Sequence, residues 1–223
     1  MPLIPPAEPV AALAGFVSRR APLPPAAPTP PGAEAARAAG GHAPPVRGLD
    51  AVLRGRRSVR DFGADPVGAV LLHTVLGLAH DADLAQWPPT AQGDPGLWLL
   101  LAVRAAPPLA PGAYRWEPGT GPRPLGRPLP LGELASAYAD APVLALVCGS
   151  PTRVGPEAVG GLLVRAGALG HAIWLAARTH GLDCSVYGGA SAEARGAASR
   201  AVPGARHLFT VALGHPARPS LDG

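Results

Sequence analysis

The chain has 223 residues, of which 29 are Gly and 30 are Pro, a combined share that borders on low complexity. Twelve of the prolines fall in residues 1–46, so the length supports one domain of roughly 170 residues behind a Pro/Ala-rich leader and argues against two substantial domains. The net charge of +4 comes from 19 basic residues, all arginine and all scattered, and four Trp, three Tyr and three Phe are too few and too dispersed for a nucleic-acid groove.

Lysine and asparagine are absent, and isoleucine occurs only at Ile4 and Ile173. Ala, Gly, Pro and Arg have GC-rich codons, so a GC-rich genome accounts for part of the proline excess. No unbroken apolar run approaches the ~20 residues that cross a bilayer, and the N-terminus lacks a basic region leading into an apolar one. The expectation is a soluble, cytoplasmic protein with neither membrane nor nucleic acid as partner. Cys148 and Cys184 lie in apolar runs without metal-ligand spacing and read as buried structural thiols.

In chain order, residues 1–46 read as a flexible leader or arm. It holds one short amphipathic candidate, Val10–Arg20, then a Pro-rich run suited to polyproline II geometry, then an Ala-rich turn at Glu34–Ala39. From Gly48 the pattern turns helical, with Leu49, Val52 and Leu53 on one face, before the charged stretch Arg54–Phe62. Asp65-Pro66 reads as the start of a second helix, Asp as cap and Pro at the first helical position. Val67, Val70, Leu71, Val75, Leu76 and Leu78 form its apolar face, and Pro88-Pro89 ends it.

Leu97–Val103 is a fully apolar strand, Ala113–Trp116 a short second one, and Gly119-Thr120-Gly121-Pro122 a hairpin-like turn. A helix over Glu133–Ala139 precedes a buried strand at Pro142–Cys148. The longest helical pattern is Pro156–His180, with Gly181 as its C-terminal cap and small residues such as Gly160, Gly167 and Gly170 permitting close approach. A strand at Cys184–Tyr187, a helix near Ala192–Arg200 and a strand at His207–Leu213 complete a domain placed at 47–218, with a tail at 219–223. Strict βαβ alternation is lacking, so the class is α+β, with a mainly antiparallel central sheet flanked by helices.

The usual chemical signatures are missing: no phosphate loop, dinucleotide fingerprint, metalloprotease helix or nucleophile elbow stands at a sensible position. The seven histidines are dispersed. His171 and His180, nine residues apart, fall on nearly opposite helix faces, so no metal site is expected. The informative stretch is Arg56-Arg57-Ser58-Val59-Arg60-Asp61-Phe62. Closely spaced guanidinium forks with a hydroxyl suit a phosphate, but from spacing alone the solvated basic end of a helix is the preferred reading.

With Pro66 and an apolar helix behind it, that stretch resembles the start of the FMN-dependent nitroreductase superfamily. Within the superfamily the chain is most similar to the SagB-type azoline dehydrogenases of peptide natural-product biosynthesis. Pro89-Thr90-Ala91-Gln92-Gly93 resembles their Pro-Ser-Ala-Gly-Ala turn, Gly112–Pro118 their next strand and turn, Leu162–Leu182 their long helix, and Leu208–Pro216 their last strand with its Leu-Gly-x-Pro ending.

The resemblance implies a homodimer with FMN at the subunit interface. Arg56 and Ser58 meet its phosphate or ribityl chain, with Arg57 and Arg60 beside them, Thr90 stands near the flavin, and Arg218 is a second phosphate contact. The activity it implies is oxidation of thiazoline or oxazoline rings in a ribosomally made peptide, alone or with other biosynthetic enzymes. The alternatives are a general NAD(P)H-dependent nitro or flavin reductase acting on small molecules, and a catalytically degenerate subunit serving as scaffold. The family's Lys-Tyr pair before the long helix falls on Arg153-Val154, and the Glu and His of its Glu-Ala-Gly-His segment on Arg165 and Ala168. The catalytic residue is therefore unassigned, with Arg153, Tyr138 and Tyr187 as candidates.

Overall fold

The computed structural model describes residues 47–55 and 57–217. The leader, Arg56, Arg218 and the tail at 219–223 lie outside the described residues. Six strands, β1 (Trp98–Val103), β2 (Gly112–Glu117), β3 (Gly121–Pro124), β4 (Val143–Gly149), β5 (Asp183–Tyr187) and β6 (Arg206–Gly214), form one sheet in the order β3-β2-β1-β4-β6-β5. Every pairing is antiparallel. The α+β expectation with a mainly antiparallel sheet is met.

Helices cover both faces, which is why β1 and β4 are apolar at successive positions rather than alternating. Leu99, Leu101 and Val103 face the long helices α2 (Ala69–Gln86) and α6 (Val159–Thr179). Leu100 and Ala102 face the other way, toward α4 (Leu131–Ala137) and α7 (Ala192–Ala201). Three shorter helices, α1 (Leu49–Arg54), α3 (Pro89–Gln92) and α5 (Pro151–Val154), complete the set among the described residues.

Most elements lie where the sequence puts them, within a few residues. The start of α2 does not. Asp65-Pro66 fails to open the helix, because Val67 N–H donates to Ala105 O and Ala69 N–H to Pro107 O, both at 3.0 Å, which holds the chain extended until Gly68. Pairing with the segment after β1 thus overrides the local capping signal, and Val70 is left 80% exposed instead of joining the apolar face.

Pro89 does not merely end α2; it opens α3. At the other end of the long pattern, Pro156–Ala158 is a 3₁₀ turn and the α-helix begins at Val159. Gly181 closes α6 as expected. Its φ of +83° lets Leu182 N–H reach back to Ala177 O at 3.0 Å, a turn that a side chain at 181 would strain.

The sequence shows no unbroken apolar run that spans a bilayer, yet the helical stretch Pro156–Thr179 is long and apolar enough for one by length and composition. Its packing identifies it as a core helix: Leu162, Ala166, Leu169, Ile173 and Ala177 are buried against the sheet and α2. Gly170 serves that sheet contact, since a Cβ there would stand 2.3 Å from the Phe209 ring of β6. Both cysteines are fully buried, and burial raises both thiol pKa values well above the ordinary range.

Candidate functional site

The stretch after α1 is extended chain laid along the edge strand of the sheet. Val59 N–H donates to Cys184 O of β5 at 2.9 Å, and Phe62 bridges to Pro216 beyond β6. Arg57, Ser58 and Arg60 therefore stand past the end of α1, outside the last helical turn that would make them solvated capping charges.

Arg57 and Ser58 line a cavity of about 290 Å³ whose other walls are His171 and Trp174 of α6, Val186 of β5 and Phe209 of β6. The lining offers a guanidinium, a hydroxyl and an imidazole together with an indole, a phenyl ring and an aliphatic chain. The His171 and Trp174 rings sit one helical turn apart with centroids 5.6 Å from each other. Phe209 reaches this wall because residue 170 carries no side chain.

Arg178, near the end of α6, is buried in an ion pair with Asp183. Burial, and next the nearby charges of Arg47 and Arg57, lower its pKa from the ordinary arginine value. A guanidinium beside a hydroxyl can give a phosphate charge-assisted contacts.

The remaining predicted residues go elsewhere. Arg60 is exposed farther along the segment, Thr90 is exposed on α3, and neither lines the cavity. Arg153 on α5 pairs with Asp94 at 3.1 Å, and its guanidinium lies over Gly96, where a Cβ would overlap it. With φ of +66° at Gly96 and Asp94 Oδ1 accepting from Gly96 N–H at 2.8 Å, this contact fastens the loop after α3 to α5.

Tyr138 and Tyr187 are brought together, their ring centroids 5.4 Å apart, with His207 5.9 Å from Tyr138. The Tyr138 hydroxyl accepts from Ser191 N–H, and the Tyr187 hydroxyl accepts from Ser185 Oγ–H, both at 2.9 Å. Alternation along β5 sends Val186 to the face of the cavity and Tyr187 to the face covered by α4 and α7. The sheet thus separates both phenols from the cavity. Burial lowers the His207 pKa to about 4, so its imidazole is neutral near pH 7.

Arg165, at the family's Glu position, is 4% exposed. It grips Asp83 of α2 through Nε at 3.4 Å and Nη2 at 3.0 Å and lies over the Trp87 ring, tying α6 to the end of α2.

His171, Trp174, Val186 and Phe209 are the cavity residues that the sequence did not single out as ligand-binding. The one signal available was the three-residue spacing of His171 and Trp174, which puts a polar and an aromatic ring on one helix face.

Residues 53–215 match the model of the Nitroreductase family. Among solved structures, a protein from Anabaena variabilis assigned as a nitroreductase is similar at 19% identity with a TM-score of 0.62. The match covers 75% of this chain and 38% of that one, so the chain spans well under half of that relative. A protein from Ralstonia eutropha, also assigned as a nitroreductase, is similar at 18% identity with a TM-score of 0.59, over 89% of this chain and 96% of that one. NfrA1 nitroreductase from B. subtilis is similar at 15% identity with a TM-score of 0.53, over 77% and 67%. At these identities the likeness establishes the fold. No curated protein sequence matches the chain.

Proposed function

Since the chain belongs to the nitroreductase family, we propose that it is an FMN-dependent oxidoreductase whose cavity beside Arg57 and Ser58 takes the phosphorylated end of the flavin. The observation that carries this is the lining itself, which brings Arg57 and Ser58 into one cavity with Trp174, Phe209 and Val186. The residues fit the group, because one half of FMN is a phosphate ester and the other a flat aromatic ring. When bound, the flavin supplies the hydride chemistry. The chain's own residues anchor the phosphate and give the rest of the molecule an apolar wall that excludes water.

A volume of about 290 Å³ is at the bottom of the range for sites that enclose a whole ligand. A second copy of the chain would complete it. Leu163 and Val164 on α6, with Leu49 and Leu53 on the adjoining α1, give that copy an apolar surface, each being about half exposed.

For the substrate, the geometry favours reduction of a nitro compound or a flavin at the expense of NAD(P)H. Arg153 is committed to Asp94, and Tyr138 and Tyr187 are behind the sheet, so none of these candidates stands at the cavity to take a proton from an azoline carbon. The second reading, azoline dehydrogenation in a peptide, is favoured by the order of the segments at 56–62, 89–93, 112–118, 162–182 and 208–216.

The visible absorption spectrum of the purified protein is the first test. A yellow preparation that loses flavin in the variant Arg57→Ala/Ser58→Ala, while remaining folded by circular dichroism, is the expected result. A colourless protein that refuses added FMN refutes the enzyme reading and leaves the scaffold subunit. With flavin bound, NADPH oxidation coupled to nitro-compound reduction supports the first substrate reading. Azoline oxidation without NAD(P)H supports the second.

A further inference from the structure

A second cavity, of about 100 Å³, lies on the other face of the sheet from Arg57 and Ser58. Its apolar lining includes Leu100 of β1, Leu125 and Leu129 from the stretch after β3, and Ala197 and Ala201 of α7. Leu100 and Ala197 belong to the core layer under α4 and α7, whereas Trp174 belongs to the layer under α2 and α6, so the sheet stands between the two cavities. The space exists because α7 presents alanine to the sheet: Ala194, Ala197 and Ala198 are buried, and Ala201 continues the same face. A methyl group fills less of the gap between helix and sheet than a leucine side chain would.

The remaining feature of the lining is charge. Arg127 and Arg200 both border the cavity and are exposed. Arg54, Arg104, Arg123, Arg153, Arg165 and Arg178 each have a carboxylate partner, while Arg127 and Arg200 have none among the described residues. No Asp or Glu lines the cavity to neutralise them.

We propose that this cavity is a binding site for a short aliphatic carboxylate, its apolar tail packed beside Leu100 and the alanines of α7 and its carboxylate held by Arg127 and Arg200. Guanidinium groups pair with a carboxylate through charge-assisted hydrogen bonds, and the apolar lining favours a ligand that carries hydrocarbon behind its charge. An apolar cavity of about 150 Å³ holds benzene, so about 100 Å³ takes a tail of about three or four carbon atoms. The site is independent of the flavin reading, since no residue of the Arg57 cavity takes part.

The test titrates the full chain with butanoate, butanamide, acetate and inorganic phosphate at constant ionic strength, followed by the backbone amide NMR signals of Ala113, Leu125, Ala197 and Ala201, with those of Arg57 and Trp174 as the control for the other cavity. Butanoate should give saturable shifts at the first set alone. Acetate, two methylenes shorter, should bind about tenfold more weakly, at about fourfold per methylene. Arg127→Gln and Arg200→Gln, both at exposed positions, should each weaken butanoate by about three- to fivefold and leave butanamide unchanged. Ala201→Leu should fill the space and remove the butanoate shifts while both arginines remain; if that variant does not fold, the two arginine variants decide.

Butanamide or phosphate binding as tightly as butanoate overturns the proposal, the first by removing the role of charge and the second by removing that of the tail. Shifts confined to Arg57 and Trp174, unaltered butanoate binding in a folded Ala201→Leu or in both arginine variants, or no saturable shift at millimolar butanoate overturn it equally.

Discussion

Replacing Gly170 with alanine should destabilise the protein even though alanine is the better helix former. In a helix interior the exchange by itself gains about 1 kcal/mol. A Cβ at 170, however, would stand 2.3 Å from Cδ1 and 2.5 Å from Cε1 of Phe209. Carbon atoms rest at about 3.5 Å or more, so two ring atoms must each retreat by about 1 Å. The open side of that ring is the cavity beside Arg57 and Ser58. Overpacking of this kind costs about 1–3 kcal/mol, which leaves a net loss of about 1 kcal/mol and a smaller cavity.

Gly196 of α7 is the control, because the nearest atom its Cβ would meet is the tip of the exposed Arg200 side chain at 2.9 Å, which can swing away. Gly196→Ala should gain about 0.5–1 kcal/mol. Urea unfolding should place the two midpoints on opposite sides of the native one at unchanged m-value. Flavin binding should weaken in Gly170→Ala alone. Adding Phe209→Leu should return part of the lost stability. A Gly170→Ala variant that gains as much as Gly196→Ala would show that Phe209 is not held against α6 and would remove the stated cause of the cavity's shape.

The buried Arg165–Asp83 pair gives a second prediction: Asp83→Asn should cost about 3 kcal/mol in denaturant unfolding by leaving a guanidinium uncompensated. Adding Arg165→Met should recover much of that loss, and simple additivity of the two single losses would contradict the coupling. His207 makes stability depend on pH. Its folded pKa, near 4 because of burial, lies below the unfolded value, so its contribution is complete above about pH 6.5 and is lost as the pH falls toward 4. The unfolding free energy of the native protein should fall across that window by up to about 3 kcal/mol more than that of His207→Phe, and parallel curves would refute this. Cys148 and Cys184, with thiol pKa values raised by burial, should resist a thiol reagent at mildly alkaline pH in the native protein and react fully in denaturant; rapid labelling of either in the native state would contradict the burial.

The sheet core was legible because its strands are buried on both faces, so β1 and β4 appear as unbroken apolar runs. The helix α6 was legible from its period and from Gly181, both local signals. The start of α2 was not, since the hydrogen bonds that delay it come from Ala105 and Pro107, about forty residues on in the chain. Local sequence carries capping propensity and says nothing of a backbone partner that arrives through the fold.

The same division runs through the site. Arg57 and Ser58 stand out in the sequence as candidates because two chemically suggestive residues are adjacent. Their cavity partners arrive from α6, β5 and β6, more than a hundred residues away. The strand period could have separated two candidates earlier: neighbours on β5 face opposite sides, so if Val186 meets the ligand, Tyr187 cannot meet it from the same protomer. The phenols then acquire a different task. Tyr138 accepts from the backbone of Ser191, whose side chain caps α7 through Ala194 N–H, and so it fixes the chain just after β5.

The arginine-only composition takes on a physical meaning in this cavity. A chain without lysine has guanidinium groups as its side-chain cations apart from histidine, and these stay charged across the range in which a protein works. Their attraction for a phosphate therefore varies only with the phosphate's own ionisation. Among the described lining residues the arginine is Arg57, so the bias that removed every lysine gives the cavity a guanidinium whose charge holds across that range.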